Sequence, residues 1–182
     1  FHTAARDTFS LAFRKGEGPT DIKGIEGKTI LLGSAGWQSI TDPMLAAAGV
    51  DVKKVKYVDA GWPMWGTLLK EGKGDAALCW EGYRAMWKGQ GLDFDHFLGR
   101  DFSKLPANSF VIRKADFEDA AKRKLYARYC QGWAAGLEFG KHNPRAATQI
   151  VMEQFPGLAS QMTPAVATEA MMQLASVFAG RM

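Results

Sequence analysis

Histidine and cysteine are nearly missing from this chain, with three of the first and two of the second among 182 residues. His2, His96 and His142 are scattered, and none has a partner at metal-ligand spacing, so no metal centre is expected. Cys79 ends a strand-like run and Cys130 falls within a helical one. They read as two buried free thiols, with a disulfide as the alternative. No apolar run reaches the roughly 18 residues that span a bilayer. No Lys/Arg run stands out and the net charge is a modest +4, which argues against nucleic acid as the main partner. The chain has neither a Gly-x-Ser-x-Gly nucleophile elbow nor a P-loop. Gly33-Ser34-Ala35-Gly36 lacks the three-glycine dinucleotide fingerprint, so no cofactor is expected. No secretory leader is visible and residue 1 is Phe, so the chain is expected to be processed, truncated or part of a longer one.

What is present is a core-forming composition: 47% of the residues are hydrophobic, which argues against disorder. The most informative stretch is Gly27 to Ser39. Thr29 to Leu32 is a short apolar run that reads as a buried strand. Gly33 to Gly36 is a turn of small residues, and Ile40, Met44, Ala47 and Ala48 then recur at helical spacing until Gly49. The pattern repeats. Val55 to Val58 is a strand, Asp59 to Pro63 its loop, and Met64, Leu68 and Leu69 a helix face. Asp75 to Trp80 is a strand, Glu81 to Tyr83 its loop, and Tyr83 to Lys88 a short helix. Three strand–loop–helix units in about sixty residues predict an α/β fold with a parallel-dominated sheet. Phe9 to Arg14, Leu92 to Leu98 and Ser109 to Arg113 read as further strands, and Gly99 to Asn108 as a polar loop.

From Asp116 the character changes. One long helix is expected to His142, with Leu125, Tyr129, Trp133 and Leu137 on one stripe. Gly132, Gly136 and Gly140 recur every fourth residue and suggest close approach of a neighbour. Asn143-Pro144 breaks the helix, and Arg145 to Phe155 and Thr163 to Ala179 read as two more.

In open α/β sheets ligands bind at the carboxyl ends of the strands. Three loops fall there, and each carries a Trp: Ser34, Ala35, Gly36, Trp37 and Gln38; Asp59, Gly61 and Trp62; Trp80 and Glu81. An indole beside small residues can cover an organic ligand, or it can plug the sheet end as core. Trp65, Trp87 and Trp133 lie within helices and read as packing. Glu81 can pair with a cationic ligand or form a structural ion pair. Asp59 can face the ligand or cap the helix that follows it. Ser34, Gln38 and Ser39 can donate to a ligand, while Ser39 can instead cap its helix. Trp37, Trp62, Trp80 and Glu81 are expected to line one concavity.

With these residues placed, a resemblance emerges. Phe9 to Lys15 followed by Ile22 to Ile30, the helix end Ala46-Ala47-Ala48-Gly49-Val50-Asp51, the segment Leu68 to Ala77, the aromatic–acidic pair Trp80-Glu81 and the strand Ser109 to Lys114 together resemble periplasmic solute-binding proteins. The similar branch is NMT1-like, the nitrate, sulfonate, taurine and thiamine-precursor binders. The resemblance implies a type II periplasmic-binding-protein lobe over residues 15–108, with 1–14 and 109–182 as hinge strands and the helical part of a first lobe that lacks most of its N-terminal segment. It implies a non-enzymatic function: capture of a small organic solute in a cleft, hinge closure, and delivery to an ABC permease. The compartment would be periplasmic, or extracellular with a lipid anchor. An enzyme on the same fold, such as a pyrimidine-precursor synthase or small lyase, and a regulator's effector-binding domain are the alternatives; the synthase's cysteine-rich motif is not matched. The apolar stripe is then expected to meet the later helices, a second copy of the chain, or an unseen segment.

Overall fold

A computed structural model describes residues 2–3, 8–103, 107 and 109–178. Positions 104–106, 108 and 179, which end two of the segments expected above, lie outside these. In chain order the elements are β1 (His2–Thr3), β2 (Phe9–Arg14), β3 (Thr29–Leu32), α1 (Gln38–Ala47), β4 (Lys56–Asp59), α2 (Trp65–Lys70), β5 (Ala76–Trp80), α3 (Tyr83–Gly89), β6 (Phe94–Leu98), α4 (Gly99–Phe102), β7 (Ser109–Phe110), α5 (Lys114–Glu118), α6 (Ala120–His142), α7 (Pro144–Gln154), α8 (Pro156–Ala159) and α9 (Pro164–Ala175). They divide into two compact units, one from the described residues of Asp7–Leu105 and one from those of Phe1–Arg6 and Pro106–Met182.

The Asp7–Leu105 unit is built on a five-stranded sheet in the order β4-β3-β5-β2-β6. β3 pairs in parallel with β4 and β5, whereas β2 runs antiparallel to both β5 and β6. The sheet is therefore mixed and mostly parallel. The inner strands β2, β3 and β5 are buried along most of their length because both faces of the sheet are covered there. Leu11, Phe13, Ile30, Leu32, Ala76 and Leu78 face Met44 and Leu45 of α1. The alternate residues Ala12, Leu31, Ala77 and Cys79 face Trp65 and Leu69 of α2 and Trp87 of α3. Close approach sets Gly74 beside this core: a Cβ there would lie 2.6 Å from Leu31 Cγ. Residues 9–14, which the resemblance assigned to the other lobe, form β2 inside this sheet, where pairing on both edges satisfies their backbone. The expected polar loop after β6 opens with the short helix α4.

In the other unit β1 and β7 pair antiparallel, His2 opposite Phe110. The expected single helix from Asp116 is two. Asp119 is extended and its carboxylate accepts from the Ala121 and Lys122 N–H groups, so it caps a new helix, α6. Pro144 at the first turn of α7 ends α6 as expected. α6, α7 and α9 pack together, yet Leu125, Tyr129 and Trp133 remain 62%, 55% and 40% exposed. Phe110 reaches Tyr129 and Trp133 edge-on, at 5.4 and 5.1 Å. The later helices thus leave much of the stripe uncovered, beside an apolar groove of about 610 Å³ that includes Trp133, Leu137, Ile150 and Met171. Of the three spaced glycines only Gly140 meets a neighbour, Met171 Sδ at 3.5 Å from a built Cβ; Gly132 and Gly136 face open space. Cys79 is buried and free, whereas Cys130, also free, is only half-buried, because α6 leaves its flank open.

Candidate functional site

The parallel strands β3, β4 and β5 end at one edge of the sheet, so their three loops are brought together there. Three indoles lie nearly parallel: Trp62 stacks on Trp65 at 4.6 Å and 28°, and on Trp80 at 5.7 Å and 14°. Trp37 stands edge-on to all three, at 5.1–6.1 Å and 80–84°. Tyr83 closes the group, 4.4 Å from Trp80 and 5.3 Å from Trp62. Offset and edge-to-face rings attract beyond their area burial, which fixes the wall in one arrangement. Gly33 makes it possible: a Cβ there would meet the Trp37 ring at 2.7 Å.

Within this wall the rings differ in exposure. Trp65 is fully buried and its Nε1–H donates to the Leu78 carbonyl at 2.9 Å. Trp37, Trp80 and Tyr83 are half-buried, and burial pushes the Tyr83 phenol up to about 12. Trp62 is 52% exposed. The expected gathering of Trp37, Trp62 and Trp80 is what the geometry shows, with the rings in mutual contact and Trp62 presenting an exposed face. Trp65 and Tyr83, not singled out as site residues, complete it. The spacing of Trp62 and Trp65, and the position of Tyr83 after Gly82, were the available signals.

The polar residues fall out differently. Asp59 latches two loops: its carboxylate accepts from the Ala35 N–H at 3.1 Å and the Gly61 N–H at 3.1 Å. A one-turn 3-10 helix over Ala35–Trp37 uses the Trp37 and Gln38 amides as well, on Ser34, Ala35 and Gly36 carbonyls. These amides are therefore already taken by the protein. Gln38 donates to Asp42 at 3.1 Å, and Asp42 accepts from the Tyr57 hydroxyl at 2.6 Å. Burial first, and that bond second, push the Tyr57 phenol up. Ser39 donates to the Gly36 carbonyl at 2.7 Å, inside the turn, instead of capping α1. Ser34, Ala35 and Gly36 are exposed at the edge, and the Ser34 side chain makes no cap bond.

Glu81 is 1% exposed. Its Oε2 accepts from Arg84 Nε at 3.0 Å and Nη2 at 2.7 Å, and Arg100 Nη2 stands 3.8 Å from Oε1. Glu81 is thus held inside by an ion pair, one residue after Trp80. Burial pushes the Cys79 thiol up, with the Glu81 charge a second cause. Among the described residues no group of three His, Cys, Asp or Glu is placed to hold a metal, and no helix is long and apolar enough to cross a membrane.

Solved structures share this architecture. A protein of Bordetella bronchiseptica RB50 superposes with a TM-score of 0.67 at 15% identity, over 97% of this chain and 58% of its own. The alkanesulfonate-binding protein SsuA of Xanthomonas axonopodis pv. citri, bound to MOPS, gives 0.54 at 11% identity over 95% and 59%. The ligand-binding component of an ABC-type import system of Staphylococcus aureus, with zinc bound, gives 0.53 at 11% identity over 96% and 57%. The fold is the type II periplasmic-binding-protein fold, and the chain spans under three-fifths of these relatives' length. No curated protein matches the sequence. The family model described as NMT1/THI5 like matches residues 2–147, so the chain belongs to the NMT1/THI5-like family.

Proposed function

We infer that this chain is the solute-capturing part of an ABC importer's binding protein. The observation that carries this is the Trp62 indole, 52% exposed at the carboxyl edge of the sheet and backed by two near-parallel indoles. Such a face is preorganised, so little side-chain entropy is lost when an organic body stacks on it. Ser34 supplies an exposed hydroxyl at the same edge. The Ala35, Trp37, Gln38 and Gly61 amides are already paired within the protein, so the solute is read chiefly by ring faces and hydroxyl, with Asp59 and Glu81 holding the loops in place. A second lobe would enclose the solute by hinge closure, because contacts made only in the closed state stabilise that state. The closed protein would then dock on a permease at the periplasmic face, or on the outer face through a lipid anchor. The related importer proteins lend no support to self-association through α6.

Tryptophan emission of the full-length protein, titrated separately with MOPS, taurine and a hydroxymethylpyrimidine, tests this reading. Saturable quenching or a blue shift with at least one of them is expected. Trp62→Ala and Trp37→Ala should then weaken binding by at least about 1 kcal/mol, several-fold in Kd. Binding unchanged in both variants, or turnover of the probe to a new product, would overturn it.

A further inference from the structure

β2 is an apolar strand with two small hydroxyl residues at its start, Thr8 just before it and Ser10 within it. Both are buried, 6% and 0% exposed. Pairing sets Phe9 opposite Trp80 and Ser10 opposite Cys79, so the next position along brings Thr8 opposite Glu81, whose N–H donates to the Thr8 carbonyl at 2.9 Å. On the other edge Ser10 lies opposite Leu98, and Ala12 opposite His96. Strand alternation puts Thr8, Ser10, Glu81 and His96 on the face that Trp87 of α3 packs against. Four polar atoms there are buried with no hydrogen-bond partner among the described residues: Thr8 Oγ1, Ser10 Oγ, Glu81 Oε1 and His96 Nε2. Native interiors satisfy nearly all such atoms, and directly opposite or diagonal residues on one sheet face stand within about 8 Å of each other.

Charge decides what fits. Arg84 satisfies Glu81 Oε2, while the 3.8 Å from Arg100 to Oε1 is beyond hydrogen-bond reach. Two guanidiniums around one carboxylate disfavour a cation. An anion cannot donate to Glu81 Oε1 and would be repelled by it. Burial and the Arg84 charge hold the His96 imidazole down at about 4, so it brings no charge at neutral pH. A neutral molecule that both donates and accepts answers Glu81 Oε1 and a neighbouring hydroxyl.

We propose that Thr8, Ser10 and Glu81 form an internal solvent site, in which at least one ordered water donates to Glu81 Oε1 and bonds Thr8 Oγ1 or Ser10 Oγ. The site ties β2 to the loop that carries Trp80, and it exists whether or not the aromatic wall binds a solute. A high-resolution crystal structure of the protein, paired with one from a bromide-soaked crystal, tests it. The expected result is a water peak within hydrogen-bond distance of Glu81 Oε1 and one of the two hydroxyls, with no anomalous signal there. Thr8→Val/Ser10→Ala should lose that peak while keeping the Glu81–Arg84 pair; if the variant does not fold, the wild-type density alone decides. Direct bonding among the four side chains with no peak, bromide at the site, or a solute's N–H on Oε1 would each overturn the proposal.

Discussion

The sheet unit and the helical unit treat their large apolar residues in opposite ways. Trp65, Leu69, Leu31 and Leu78 are 0% exposed in the first, while Leu125, Tyr129 and Trp133 stand 40–62% exposed in the second. A sheet covered on both faces closes its own core, because its inner strands contribute alternate residues to two helix layers. A long helix with only two or three helical neighbours covers part of its circumference and leaves the rest as an apolar face. Large apolar side chains thus supply folding energy in one region and form an uncovered surface in the other.

The largest effect that would sharpen this contrast is Trp65→Ala. It removes a fully buried indole and its bond to Leu78, and should cost about 3–5 kcal/mol in denaturant unfolding of the sheet unit. Trp133→Ala in the same chain should cost under about 1 kcal/mol. Equal losses would mean that Trp133 is as well covered as Trp65.

Gly74→Ala comes next. Its Cβ would lie 2.6 Å from Leu31, so overpacking should cost about 1–3 kcal/mol, read as a lower unfolding midpoint.

Acid should act on the sheet unit as well. The His96 imidazole is held near 4, by burial first and the Arg84 charge second, with Lys15 lowering it and Asp95 raising it more weakly. The unfolded side chain takes up a proton near 6.5, so its contribution is complete above that pH and is lost as pH falls towards 4. The slope should approach about 1.4 kcal/mol per pH unit in this window, and His96→Asn should flatten it. An unchanged slope in the variant would place the acid sensitivity elsewhere.

The smallest effect has the opposite sign. Gly132→Ala meets nothing within 4 Å on α6, and should stabilise the helical unit by about 0.5–1 kcal/mol, seen as a raised helix-unfolding midpoint by circular dichroism. Destabilisation would mean that the groove is filled in solution.

The order of strands, loops and helices was legible in the chain because period-2 and period-3.6 patterns are local, and Gly49, Gly72 and Pro144 punctuate them. So was the joining of the Trp37, Trp62 and Trp80 loops, since parallel strands share a carboxyl edge. The family resemblance, drawn from the order of loose motifs, agrees with the family the chain belongs to. What sequence could not give depends on pairing between distant segments. β2 sits between β5 and β6 only because of long-range antiparallel pairing, which no local pattern encodes. Glu81 reads as a loop carboxylate until Arg84 and the strand opposite it enclose it. Gly132 and Gly136 carry the spacing of a close helix contact, yet only Gly140 meets a neighbour. Short-range periodicity alone was enough to place most strands and helices and the edge at which the loops meet. Which side chains became wall, latch or buried pair was settled by packing, because burial and charge pairing depend on neighbours far away in the chain.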